Sequence, residues 1–210
     1  MKEAIYTVPI NEAYGSPEGC PLCALRAHSE SSGIEFALGA SVMEPDVRIQ
    51  VNEQGFCAAH LGALLEKKNR LGLSLMLESL YARLIAKGPS GLSSFPCYLC
   101  QRRDAHMGHF YANIVYMWKT EPDFRVRFAA RANCLPHTAN LLETARKLTS
   151  RKEYEAFLGE AAGSCLRQAE GLHRDLSAFC RSFDYRSAAQ VLDEDTKKAA
   201  ERAAAHLGAV

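Results

Sequence analysis

Cys20-Pro21-Leu22-Cys23 and Cys57-Ala58-Ala59-His60 form a pattern that the chain writes twice, the second time as Cys97-Tyr98-Leu99-Cys100 and Cys134-Leu135-Pro136-His137. In both copies 34 positions separate the second cysteine of the first pair from the cysteine of the Cys-x-x-His pair, and every member recurs 77 positions on. Cysteines that merely filled a core would have no reason to keep four positions in step. The pattern therefore predicts a duplicated metal site of three cysteines and one histidine.

The repeat extends beyond the ligands. Glu44-Pro45-Asp46-Val47-Arg48 returns as Glu121-Pro122-Asp123-Phe124-Arg125, and Leu64-Leu65-Glu66 as Leu141-Leu142-Glu143, at the same offset. A proline near a helix start with an acid in the first turn suits the positive end of a helix dipole. The first such helix should end at Gly55, the residue type that best tolerates a left-handed cap.

Between these landmarks the apolar spacing is helical. Leu25, Ile34, Phe36, Leu38 and Val42 give an approximate stripe, weakened at Ser31-Ser32-Gly33. Residues 61–86 carry the strongest leucine stripe, with a break expected between Asn69 and Gly72. In the second half Phe110, Tyr111, Ile114, Val115, Met117 and Trp118 make a bulkier helix, and unequal side chains in the two halves suggest that they pack together. Leu166, Ala169, Leu172, Leu176, Phe179 and Phe183 predict an amphipathic C-terminal helix. Residues 196–207 predict a last, mostly solvated one. Residues 1–19, with Val8-Pro9-Ile10 and Tyr14-Gly15-Ser16-Pro17, read as an extended strap, and residues 87–96 as a linker. No stretch alternates cleanly enough for a strand. The expected class is all-α: two tandem zinc-knuckle-plus-helix repeats packed together, with a C-terminal helical extension. The expected divisions are 1–87, 97–150 and 151–210 within one compact unit.

Composition sets the context. The chain has 210 residues, 48% apolar, with 25 basic against 24 acidic side chains, so its net charge of +1 offers no global case for nucleic acid or an anionic membrane. No run approaches the ~20 apolar residues of a membrane span, and the first residues are neither basic nor apolar enough for a leader. A cytoplasmic protein is expected. In a reducing cytosol closely spaced cysteines more often hold metal than form disulfides.

Cys-x-x-Cys aims two thiolates at one point, and two ligands three apart at a helix start share one face of the first turn. Together they supply a closed tetrahedral set, which suits structural zinc and leaves no open position for a hydrolytic water. The duplication favours Cys20, Cys23, Cys57 and His60 around one ion and Cys97, Cys100, Cys134 and His137 around the other. A crossed arrangement, in which the first and third pairs join, uses the same residues and stays open. Two zinc ions are the leading cofactors; ligand softness also admits an iron–sulfur cluster.

Other residues invite a role. Asp46 with Arg48, and Asp123 with Arg125, read mainly as helix starts, and alternatively as a polar shell donating to ligand sulfurs or an anion. Cys165 and Cys180 have no duplicated partners. On one helix they would stand about 22 Å apart, beyond disulfide reach, and they read as buried packing residues. His106 and His109 align at the offset with Ser29 and Ser32, so the duplicated site manages without them; His28, His173 and His206 read as surface or packing residues. Trp118, Tyr111 and Tyr116 read as core rather than pocket.

Several of these motifs together carry a resemblance: residues 5–13 (Ile-Tyr-Thr-Val-Pro-Ile-Asn-Glu-Ala), Cys-Pro-Leu-Cys, Ile34-Glu35-Phe36-Ala37-Leu38-Gly39 with Met43-Glu44, Gly55-Phe56-Cys57 with His60, Lys68-Asn69-Arg70-Leu71-Gly72-Leu73, and Phe183-Asp184-Tyr185-Arg186. The chain resembles the bacterial family called domain of unknown function 6062. The resemblance implies membership and metal binding and lends no reaction. Ala132 and Asn133 depart from the family's Gly-Phe pair, as does the alanine-rich tail, and neither departure is expected to touch a ligand.

The functional expectation is a binding or scaffold protein, held together by metal, with an unknown protein partner. The alternative is a redox or sensor protein using an iron–sulfur cluster or metal-releasing thiolates. No nucleophile–base pair or phosphate-binding glycine loop recommends an enzyme.

Overall fold

The computed structural model describes residues 3–91, 96–183 and 192–209. Residues 92–95 of the expected linker, and Asp184-Tyr185-Arg186 of the family motif, lie outside the described residues. All regular structure among the described residues is helical. The helices are α1 (Glu3–Gly15), α2 (Pro21–Leu38), α3 (Pro45–Gln54), α4 (Ala58–Glu66), α5 (Arg70–Lys87), α6 (Tyr98–Thr120), α7 (Pro122–Ala130), α8 (Leu135–Leu148), α9 (Arg151–Arg181), α10 (Glu194–Lys197) and α11 (Ala199–Leu207).

They do not group by repeat. The chain divides into two compact units, one made of Met1–Leu25 with His109–Val210 and the other of Arg26–Gly108, and the divisions fall inside α2 and α6. This interleaving does not follow the expected divisions at 87, 97 and 150. Its physical origin is that α2 and α6 outlast the knuckles that begin them, so each carries the chain out of one unit and into the other.

The unit Arg26–Gly108 is built on a core of Ile34, Leu38, Val51, Phe56, Leu64, Leu73, Met76 and Leu99. Within it the end of α2 runs antiparallel to the start of α6: Ser29 meets His106, Glu30 faces Arg103, and Gly33 lies against Leu99. Gly33 interrupts nothing, contrary to the expected weakening of α2. A Cβ there would stand 3.5 Å from the Leu99 side chain, an ordinary packing contact, so packing tolerates the glycine without requiring it.

The break between α4 and α5 falls where expected. Lys68 adopts φ 59°, and Asn69 caps α5 through Oδ1, which accepts from the Gly72 N–H at 2.9 Å, while its Nδ2 donates to the Leu38 carbonyl at 2.7 Å. Helix α3 ends at Gly55 with φ 58°, and both Glu-Pro-Asp stretches start helices.

In the other unit α7, α8 and α11 pack on α9, and α1 packs on α7. The first segment is therefore helix and not an extended strap. Pro9, inside α1, leaves the Ile5 carbonyl without its usual donor, at about 3 kcal/mol for an interior proline. Burial of Ile10, Ala13 and Tyr14 offsets this, at roughly 1.5–3 kcal/mol for a large apolar side chain. Tyr14 packs on Phe124 and Phe128, and Phe128 and Trp118 both pack on Phe157. Tyr111 and Trp118 are core as expected, whereas Tyr116 is exposed. The predicted last helix is split by a turn at Lys198, and its Thr196, Ala199 and His206 are buried, so it is less solvated than expected.

Candidate metal centres

Each knuckle stands at a helix start. Cys57 is the N-cap of α4 and Cys134 that of α8, with extended backbones, so His60 and His137 fall in the first turn. That spacing sets Nδ1 of His60 3.2 Å from Cys57 Sγ and Nδ1 of His137 3.1 Å from Cys134 Sγ. The Cys-x-x-Cys pairs likewise straddle the starts of α2 and α6. Four thiol-bearing helix starts place positive dipole ends beside groups that must ionise to bind metal.

Two four-residue groups result, Cys20, Cys23, Cys134 and His137 in one unit and Cys57, His60, Cys97 and Cys100 in the other. In each, all four donor atoms lie within 4.8 Å of one another. The pairing favoured from the duplication is thus corrected: neither Cys-x-x-Cys joins the Cys-x-x-His of its own repeat. The crossing also differs from a union of the first and third pairs. It joins the first pair to the fourth and the second to the third, keeping three sulfurs and one imidazole in each group. The reason is the length of α2. Its 18 residues span roughly 27 Å, and the chain turns back through α3 to bring Cys57 and His60 to the start of α6.

The knuckles are seated differently. Cys97 donates its N–H to the Gln54 carbonyl at 2.8 Å and Tyr98 to that of Gly55 at 2.9 Å. In the other unit the Arg131 guanidinium does this work, donating to the carbonyls of Pro17 at 2.5 Å and of Glu18 and Gly19 at 2.9 Å each. Gly19 takes the left-handed backbone, φ 55°, just before Cys20. Its counterpart at the offset is Pro96, whose ring forbids that conformation, and here Cys97 itself carries φ 61°. A left-handed cysteine is strained by roughly 1–3 kcal/mol, and the strain sits on a candidate ligand.

The donor sets fit a single tetrahedral ion. Zinc bonds of 2.3 Å to sulfur and 2.0–2.1 Å to nitrogen imply tetrahedron edges of about 3.8 Å between sulfurs and about 3.5 Å between sulfur and nitrogen. Cys23 and Cys134 sulfurs are 3.7 Å apart, and His137 Nδ1 is 3.4 and 3.6 Å from Cys23 and Cys20. Cys57 and Cys100 sulfurs are 4.0 Å apart, with His60 Nδ1 3.3 and 3.4 Å from Cys97 and Cys100. Disulfides, at about 2.05 Å, do not fit these distances, and all eight cysteines are free.

The thiols share protons unequally. Hydrogen bonding from Cys134, with a further contribution from His137, holds Cys20 down to about 3 against the opposing effect of burial. Cys134, which donates to Cys20, is pushed up in return. In the other group the backbone N–H of His60 brings Cys57 down to about 7, and burial pushes Cys100 up to about 12. Each group thus has one thiol poised to ionise first.

Beside Cys20 stands a buried pair, Tyr14 and Asn133, that the repeat does not select. Asn133 Nδ2 donates to the Tyr14 hydroxyl at 3.1 Å, and Asn133 Oδ1 lies 3.8 Å from Cys20 Sγ. The Asn133 departure therefore does touch a candidate ligand, contrary to expectation, and burial raises the Tyr14 phenol well above its ordinary range. In the other unit Glu30 Oε1 lies 2.9 Å from His60 Nε2. The departure from the family pattern was a signal for Asn133. Glu30 had none, because Met107 occupies its counterpart position and the repeat argument selects only what recurs.

The acid-x-arginine residues go elsewhere. Arg48 donates to the Leu75 carbonyl at 3.2 Å, and Arg125 to Glu160 at 2.9 Å while lying over the Trp118 ring. Asp46 and Asp123 are exposed in the first turns of α3 and α7, Asp123 lining an open surface cleft of about 670 Å³ with Asn11, Glu121 and Arg127. His106 pairs with Ser29 at 3.1 Å and His109 lies against Tyr6, while His28 and His173 are exposed. Cys165 is buried, 3.4 Å from Nε2 of the buried His206. Cys180 is exposed, because its position on α9 turns away from the packed face, so only one of the two is a packing cysteine.

The chain belongs to a family of unknown function (DUF6062), whose model matches residues 1–95 and again residues 92–209. No curated protein and no solved structure matches it. Among the described residues no helix is long and apolar enough to cross a membrane.

Proposed function

We propose that this family member is a zinc-stabilised helical scaffold with two closed Cys3His centres, and that it acts by binding a protein partner in the cytoplasm. The observation that carries the metal reading is the convergence of four donors in each unit at the edge lengths of one tetrahedron. Cys20, Cys23, Cys134 and His137 would hold one ion, and Cys57, His60, Cys97 and Cys100 the other. Three thiolates and an imidazole match structural zinc, and four protein ligands leave no position for a reacting water. A multi-iron cluster spreads its cysteines over separate irons, wider than these groups are spaced, which favours a single ion per site.

Magnitudes support a folding role. Structural zinc contributes roughly 10–16 kcal/mol in finger peptides, against about 5–15 kcal/mol of net stability for a whole domain. An ion in the first group ties Cys23 to Cys134 across 111 positions of chain. Bound zinc supplies cross-linking here, and the helix starts orient the ligands.

Elemental analysis and absorption of anaerobically purified protein test this reading. It predicts two zinc ions per chain and no colour. A brown sample with iron and sulfide would replace it with the redox reading, and metal-free folded protein would remove it.

A further inference from the structure

The two centres share a ligand set, yet only one has a carboxylate on its imidazole. His60 is 3% exposed and presents Nδ1 to Cys57, Cys97 and Cys100. Its Nε2 is buried and makes no hydrogen bond of good geometry, while Glu30 Oε1 lies 2.9 Å away, at ion-pair distance. Arg103, on the turn of α6 that follows Cys100, brings Nη1 to 4.0 Å from the same oxygen. His137 has no carboxylate at ion-pair distance among the described residues, and position 107, equivalent to Glu30, is methionine.

We propose that Glu30 is a positioning residue for one of the two ions: it holds His60 as an Nδ1 ligand and strengthens only the centre of Cys57, His60, Cys97 and Cys100. This rests on the metal reading above. A carboxylate that accepts the Nε2 proton fixes the tautomer, locks the ring's orientation and makes Nδ1 a better donor; losing such a partner typically costs 10–100-fold in metal affinity. Charge is the objection, since three thiolates around a divalent ion already leave a net charge of −1. Arg103 places a positive charge 4.0 Å from Glu30, shared with Asp104, which it holds at 2.8 Å. At the other centre Asn133 and Tyr14 lie beside Cys20 instead, with no carboxylate among them.

The test is a competition titration of the full chain with zinc and a chromophoric chelator, comparing wild type with Glu30→Gln, each also in Cys20→Ser and Cys100→Ser backgrounds. One of the two binding steps should weaken about 10–100-fold and the other stay within about twofold. The effect should persist with Cys20→Ser and vanish with Cys100→Ser. The unaffected step reports that the variant is folded, and ¹⁵N spectra of the histidine rings should show His60 losing its fixed tautomer while His137 is unmoved. If both ions bind and neither step changes, or both weaken alike, the role of Glu30 is overturned and the metal reading stands. If wild type takes up no metal, both fall.

Discussion

Cys23 and Cys134 stand 111 positions apart in the chain with their sulfurs 3.7 Å apart. That contact joins the first repeat's Cys-x-x-Cys to the second repeat's Cys-x-x-His, and the Cys100–Cys57 contact makes the reciprocal junction. Neither repeat completes a centre from its own residues.

Metal removal should therefore be felt throughout the chain. At roughly 2–4 °C per kcal/mol for a chain of this size, losing even 5 kcal/mol of the contribution expected from zinc lowers the melting temperature by about 10–20 °C. Differential scanning calorimetry with and without a chelator checks this. An unchanged melting temperature after verified metal removal would deny the ions a folding role.

The Tyr14–Asn133 pair should be worth keeping intact. Tyr14→Phe leaves the buried Asn133 amide without its hydroxyl partner, which costs about 1–3 kcal/mol. Urea unfolding of the metal-loaded protein measures it. A Tyr14→Phe variant as stable as wild type would show the pair to be dispensable.

Helix α9 opens with a capping box: Ser150 Oγ accepts from the Glu153 N–H, and Glu153 accepts from the Ser150 N–H. Ser150→Ala should cost about 1 kcal/mol at neutral pH. The hydrogen bonds from the Ser150 backbone and hydroxyl, then Lys119, hold the Glu153 carboxyl down to about 2 against an ordinary value of 4.5. A depressed carboxyl stabilises the fold fully above its unfolded value and loses that contribution as pH falls through 4.5 towards 2. The Ser150→Ala deficit should thus shrink over this window in parallel melts of the two proteins. A deficit constant down to pH 2 would mean the box is not formed.

Lys68 offers a test in the stabilising direction. At φ 59° a side chain costs about 1–2 kcal/mol, of which a glycine returns roughly 0.5–1 as unfolded-chain entropy. Lys68→Gly should raise stability by about 0.5–1 kcal/mol, read by urea denaturation. A loss of stability would argue against the left-handed turn.

The helical class, the break at Asn69, the cap at Gly55 and the eight clustered cysteines and histidines were legible in the sequence, because local spacing and chain propensity decide them. The pairing was not. A 77-residue offset states which residues are equivalent, but equivalence is indifferent to whether Cys23 faces Cys57 or Cys134. That is decided by how far α2 carries the chain before it turns, a tertiary property. Pro9 misled for a similar reason, since packing of Ile10 and Tyr14 outweighs a local penalty. Asn133, marked only as a departure, and Glu30 each occur in one repeat, and a 77-residue offset selects only what occurs in both.

The crossed centres are tested most directly by zinc stoichiometry of two double variants. Cys23→Ser with Cys134→Ser damages one centre and should leave one ion per chain, whereas Cys23→Ser with Cys57→Ser damages both and should leave none. The opposite result, no ion in the first variant and one in the second, would contradict the pairing and return each ion to a single repeat.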